Sequence, residues 1–238
     1  MKRKSRKIKI VLIVAATMAA FSMIPLFTHP KSPEVKTKPR EKMIALTFDD
    51  GPNPKTTPKL LEELQAAHVH ATFFEIGKNV AQYPEITKAL SDAGNDVASH
   101  TWNHIDLTTL TPISAKNEID EAASEITKIT GKNMPFYRPP KGRFDSAILK
   151  SESKEVVTWS QDTGDWATLD TETTIKYATL NPHDNEIILM HDIYPQTVAA
   201  VPAIIKNLEQ RGYTLVTVSQ LIENHGGFHE HQSYMKTK

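Results

Sequence analysis

From residue 43 onward the chain alternates strand-like and helix-like segments, and this rhythm restricts its possible folds more than any other feature. "MIALTF" (Met43–Phe48) is apolar and bounded by turn residues, which predicts a strand, and "PKLLEELQAA" (Pro58–Ala67) has helical spacing. The order continues with "ATFFEIG" as a strand, "EITKALSDAG" as a helix ended by Gly94, and "DVASH" as a short strand. "SAKNEIDEAASEITKITG" reads as a long amphipathic helix with Gly131 just past its end. "PFYRPP", "VVTWSQD", "EIILMHD" and "YTLVTVSQLI" are further strand candidates, separated by helical stretches such as "AAVPAIIKNLEQRG". Repeated β-α alternation predicts an α/β fold, a parallel sheet with helices outside, either open or closed into a barrel.

The 238 residues suffice for one sizeable domain with a buried core. A net charge of zero hides an uneven split, since residues 1–42 hold eleven Lys/Arg against two Glu, a net of +9. The remainder is equally acidic, which argues against a nucleic-acid partner. With no cysteine there is no disulfide framework, thiolate nucleophile or cysteine-ligated zinc. "MKRKSRKIK" followed by the uncharged run Ile10–Phe27 makes residues 1–27 a signal peptide or an N-terminal membrane anchor, with Ala20-Phe21-Ser22 as a cleavage pattern. Residues 28–42 have the Pro/Lys-rich composition of a linker, 43–224 are expected to form a single domain, and 225–238 are a polar tail containing His225, His229 and His231. An exported protein is expected, either extracellular or anchored in the cell membrane.

In parallel α/β folds chemistry gathers where strands end. Here Asp49 and Asp50 end the first strand, His100 ends "DVASH", Arg138 ends "PFYR", Asp162 ends "VVTWSQD", and His191-Asp192 end "IILMHD". Five strand ends bearing ionisable groups are hard to assign to caps and turns alone. His100 and His104 are four apart, the spacing that places two side chains on one helical face and suits a chelate. In "LTFDDGPNP", Gly51 and Pro52 turn the chain directly after two adjacent aspartates, so both carboxylates can converge. One can ligate a metal with the two imidazoles, a catalytic-type zinc set with an open position, while the other remains free as a base.

Five motifs in order, "TFDDGP", "HTWNH", "RPPKG", "DTGDW" and "ILMHD", resemble those of the polysaccharide deacetylases, the NodB-homology or carbohydrate esterase family 4 group, over Lys42 to Asn224. The resemblance implies a distorted (β/α) barrel and one divalent metal, zinc first, with cobalt, nickel or iron as alternatives. It also implies removal of acetyl groups from N-acetylated sugar polymers such as peptidoglycan N-acetylglucosamine or chitin-like oligosaccharides. By position, Asp49 resembles the catalytic base, Asp50, His100 and His104 the metal ligands, and His191 the general acid. Arg138 resembles the arginine that holds the base, and Asp165 the carboxylate that orients the acid. Trp166 and Leu189 look like the pocket for the acetyl methyl, and the backbone N–H of Lys141 like the oxyanion donor. Lys141 stands where the family usually has an aromatic residue, which suits a substrate with a nearby carboxylate or phosphate. The partner implied is a carbohydrate polymer of the cell wall; the sequence is silent on oligomeric state.

Two other readings are an O-acetyl esterase on a xylan-like polymer and a catalytically silent carbohydrate-binding relative. The intact ligand set and base favour an active enzyme. Elsewhere, His68 and His70 read as surface or satisfied core positions, Trp102 and Trp159 as barrel packing, and Met18, Met23 and Met190 as apolar fill. Asp192 reads as a cap for the segment after it, without chemical role.

Overall fold

A computed structural model of the chain describes residues 41–224, 226–227 and the backbone of 233–234. Residues 1–27, read above as a signal peptide or anchor, the expected linker up to residue 40 and the three tail histidines fall outside the described residues. Among the described residues nine strands form one sheet: β1 (Lys42–Asp49), β2 (Thr72–Glu75), β3 (Asp96–Ser99), β4 (Phe136–Tyr137), β5 (Glu155–Val157), β6 (Gln161–Asp162), β7 (Glu186–His191), β8 (Tyr213–Val216) and β9 (Ser233–Tyr234). Their order is β6-β7-β1-β2-β3-β4-β5-β9, with β8 on β1, and every pairing is parallel. The helices are α1 (Thr57–Ala66), α2 (Gly77–Gln82), α3 (Pro84–Asp92), α4 (Pro112–Thr130), α5 (Ser146–Ser151), α6 (Asp165–Thr168), α7 (Thr171–Ala178), α8 (Pro195–Gln210) and α9 (Val218–Glu223). Among the described residues no helix is long and apolar enough to cross a membrane.

The strand period decides which side chains reach the interior. In β1, Ile44, Leu46 and Phe48 point outward and join Phe73, Met190, Leu60, Leu64, Ile204 and Leu208 in the core under the helices. Ala45 belongs to the opposite cluster, with Phe74, Ala98, Phe136, Val157 and Ile187. Thr47 and Asp49 follow Ala45 on that inner face, so the first aspartate is delivered inside by alternation alone. Met190 is apolar fill, as its sequence context suggests, and His68 and His70 are exposed.

The barrel is distorted because it does not close. "VVTWSQD" predicts one strand but forms two: β5 pairs with β4 and β9, whereas β6 pairs with β7 at the other end of the sheet. The carbonyls of Val157 and Thr158 accept hydrogen bonds from the Arg138 side chain (3.2 and 2.9 Å), so they serve the site at the break. "YTLVTVSQLI" is strand only to Val216. Thr217 and Gln220 then make a reciprocal capping box that opens α9. Trp102, expected inside the barrel, instead lies in the loop after β3 and covers Gly77 at the start of α2.

Candidate active site

Arg138 at the end of β4 organises the inner side of the site. It is wholly buried, stacks 4.0 Å above the Phe74 ring, and spends one nitrogen on Thr47 Oγ1 (2.8 Å) and Asp49 Oδ1 (2.7 Å). Burial raises the Asp49 carboxyl above its usual range, against the pull of Arg138 and His191. Thus Asp49 has one oxygen pinned, and the other lies 3.7 Å from His100 Nε2.

Asp50 leaves the strand in a left-handed conformation (φ 77°), with its N–H on the Phe74 carbonyl and its own carbonyl held by Asn79. That rotation brings the second carboxylate to the same mouth as the first. His100 Nδ1 donates to the Arg138 carbonyl (2.8 Å), which fixes the tautomer and leaves Nε2 facing Asp50 Oδ1 at 3.5 Å. Burial lowers His100 to about pKa 3, so the ring is neutral and its lone pair available. His104 Nε2 is 3.2 Å from the same Asp50 oxygen. The two histidines do not share a helical face. Residues 100–106 form an irregular loop with positive φ at Thr101 and His104, and that loop brings the second ring back.

One ligand atom from each of Asp50, His100 and His104 lies within 4.8 Å of the others, and Asp50 Oδ1 is buried without a hydrogen-bond partner. A buried acceptor left unpaired is costly, and a cation between it and the two imidazoles resolves the cost. The donor set therefore fits a divalent metal.

Across a cavity of about 550 Å³, which Leu189, Trp159 and Trp166 also line, His191 ends β7. Its Nδ1 bonds Asp165 Oδ1 (2.9 Å), and its N–H bonds the other oxygen (2.8 Å), which Thr197 also holds (2.7 Å). Burial disfavours the charged ring, but the hydrogen bond to Asp165 and the charges of Asp49, Asp165 and Asp50 outweigh it and raise His191 to about pKa 9. At the third edge, Pro139–Gly142 form a tight turn in which Lys141 is left-handed (φ 58°). Gly142 and Arg143 donate within the turn, while no bond among the described residues uses the Lys141 N–H. Leu189 is buried and Trp166 half-exposed; Asp162 lines the same cavity.

The family model for polysaccharide deacetylases matches residues 36–158, more than half of the chain. The chain belongs to the polysaccharide deacetylase family. It is 40% identical over 190 residues to the peptidoglycan-N-acetylmuramic acid deacetylase PdaC of Bacillus subtilis, covering 80% of this chain and 41% of that one. To the peptidoglycan-N-acetylglucosamine deacetylase PgdA of Listeria monocytogenes it is 33% identical over 216 residues, covering 91% and 46%. The chain thus spans less than half the length of these curated relatives. A solved structure of peptidoglycan deacetylase PdaC from Bacillus subtilis superposes with a TM-score of 0.76 at 39% identity, over 80% of this chain and 94% of that one.

Two buried carboxylates around this site were missed or misread in the sequence. Asp192 caps nothing after it: α8 begins without a side-chain cap, and the Asp192 carboxylate instead takes the Thr57 hydroxyl. Burial raises Asp192 to about pKa 7. Glu75, at the end of β2, is wholly buried with both carboxylate oxygens unpartnered, and burial together with Asp192, Asp49 and Asp50 pushes it well above the carboxylate range. A single glutamate closing the apolar run "TFFE" was the available signal.

Proposed function

We propose that this chain is a metal-dependent deacetylase that hydrolyses acetyl groups from N-acetylated sugars of a cell-wall polymer, peptidoglycan before chitin-like oligosaccharides. One observation supports this reading above the rest. The Asp50–His100–His104 ligand set, the Asp49–Arg138 pair and the His191–Asp165 pair face one cavity from different strand ends.

Asp50, His100 and His104 would hold the metal, zinc as the first choice, which supplies Lewis acidity and lowers the pKa of water. Asp49 takes the proton of the attacking water. Arg138 holds its other oxygen still, and burial makes it more basic than an exposed aspartate. The Lys141 N–H, unspent in its turn, points to the oxyanion role, and Leu189 with Trp166 receives the acetyl methyl. His191 is charged at neutral pH, and Asp165 occupies its Nδ1, so Nε2 is the proton donor to the departing amine. The Lys141 ammonium at the rim suits a substrate bearing a carboxylate or phosphate. The basic, then apolar, N-terminal segment supports export, with residues 1–27 either cleaved or retained as an anchor and 28–42 as a linker.

The test is acetate release by the full chain, stripped of metal and reloaded with zinc or cobalt, from peptidoglycan, chitooligosaccharides and acetylated xylan. Metal-dependent release, greatest on peptidoglycan, is expected, and Lys141→Tyr should shift preference toward the neutral chitooligosaccharide. Release from xylan alone would replace the amide reading with the ester one. Metal binding without release from any polymer would favour the silent carbohydrate-binding relative.

A further inference from the structure

Behind the Asp49–Asp50 turn lies a contact that the reaction above does not use. Asp192 follows His191 in the chain and is wholly buried. Its N–H donates to the Asp49 carbonyl (3.3 Å), and its Oδ2 accepts from Thr57 Oγ1 at the start of α1. The Thr57 oxygen in turn accepts the N–H of Asn53 (2.8 Å), so the loop from Asp50 to α1 is tied to this one carboxylate. Gly51 lies flush against it: a Cβ there would collide with both Asp192 oxygens and with Cγ. Glycine is required at 51 for close approach, since its φ is not in the left-handed region.

His191 and Asp192 are successive residues at one strand end. The imidazole lines the cavity, and the carboxylate braces the back of the loop that presents Asp49 and Asp50. We propose that Asp192, acting with Thr57 against Gly51, is a positioning residue that fixes the spacing between the Asp49–Asp50 turn and His191. The proposal rests on the deacetylase reading, in which those three side chains work together. A shift of the turn by about 1 Å costs on the order of 100-fold in rate when reacting groups must align.

The experiment uses the full chain loaded with cobalt, and reads kcat and KM for acetate release beside the visible absorption of the bound ion. Asp192→Asn keeps an oxygen for the Thr57 hydroxyl and should stay close to the parent protein in all three. Asp192→Ala should lower kcat by about 100-fold at unchanged KM and alter the cobalt spectrum. Gly51→Ala should show the same defects, and adding Asp192→Ala to it should lower kcat little further, because both changes break the same contact. If Asp192→Ala fails to fold, Thr57→Val, which removes the hydroxyl at nearly constant volume, must show the lowered kcat and changed spectrum. Parent-like kcat and spectrum in Asp192→Ala, or in Thr57→Val if Asp192→Ala does not fold, overturn the proposal. Losses that simply multiply in the double variant also overturn it. A parent protein that binds cobalt but releases no acetate overturns the deacetylase reading instead, and the spectra still decide whether Asp192 shapes the metal ligands.

Discussion

The histidine at the end of β7 and the aspartate behind it define the pH behaviour expected of the site. His191 is raised to about 9 and Asp165 is held below the usual carboxylate range by its hydrogen bonds and the histidine charge. A raised histidine adds stability that is complete below its unfolded value near 6.5 and lost as pH rises through about 9. A depressed aspartate adds stability that is present above about 3.9 and lost in acid. Asp165→Asn should therefore lower the melting temperature more at pH 6 than at pH 10. It should also move the alkaline limb of kcat from about 9 toward 6.5, and an unmoved limb would mean another group is the acid. Glu75 has the opposite influence on stability. Its folded pKa lies well above its model-peptide value of 4.5, so its contribution is intact below 4.5 and is lost as pH rises. With metal removed, Glu75→Gln should raise the melting temperature at pH 8 and change it little at pH 4.

At the scale of elements, the site depends on strand ends held in register by side chains rather than by a closed ladder. Arg138 bridges β4, β1 and the break after β5, so it substitutes for the missing pairing between β5 and β6. Removing one member of a buried pair leaves an uncompensated charge, at a cost of about 3–5 kcal/mol. Arg138→Met should accordingly destabilise the protein by that order in urea unfolding and abolish acetate release, because Asp49 loses its anchor. A weaker effect is expected at α9, where Thr217→Ala deletes the capping box and should cost about 1 kcal/mol with kcat unchanged.

For the whole molecule, the β-α rhythm, the parallel sheet and the gathering of polar groups at strand ends were legible because each rests on local pattern. Asp49, Asp50, His100, Arg138 and His191 all terminate apolar runs. Less legible was anything set by contacts between distant segments. "VVTWSQD" looks like one strand, yet its middle serves the Arg138 side chain, which no local pattern reveals. His100 and His104 have helical spacing, but left-handed residues at Thr101 and His104 make a loop of it. Asp192 resembles an ordinary cap until α1, far away in sequence, is seen to supply Thr57. By contrast, the capping box before α9 could have been read from Thr217 and Gln220 alone.

In the proposed reaction the metal ligands and the base are separate functions of adjacent aspartates and paired histidines. Bound zinc and acetate release, measured together on the parent chain, Asp49→Asn and His104→Ala, separate the two roles. Asp49→Asn should bind zinc like the parent and release no acetate, whereas His104→Ala should lose both. Acetate release by Asp49→Asn, or undiminished zinc binding by His104→Ala, would rule out this division of roles.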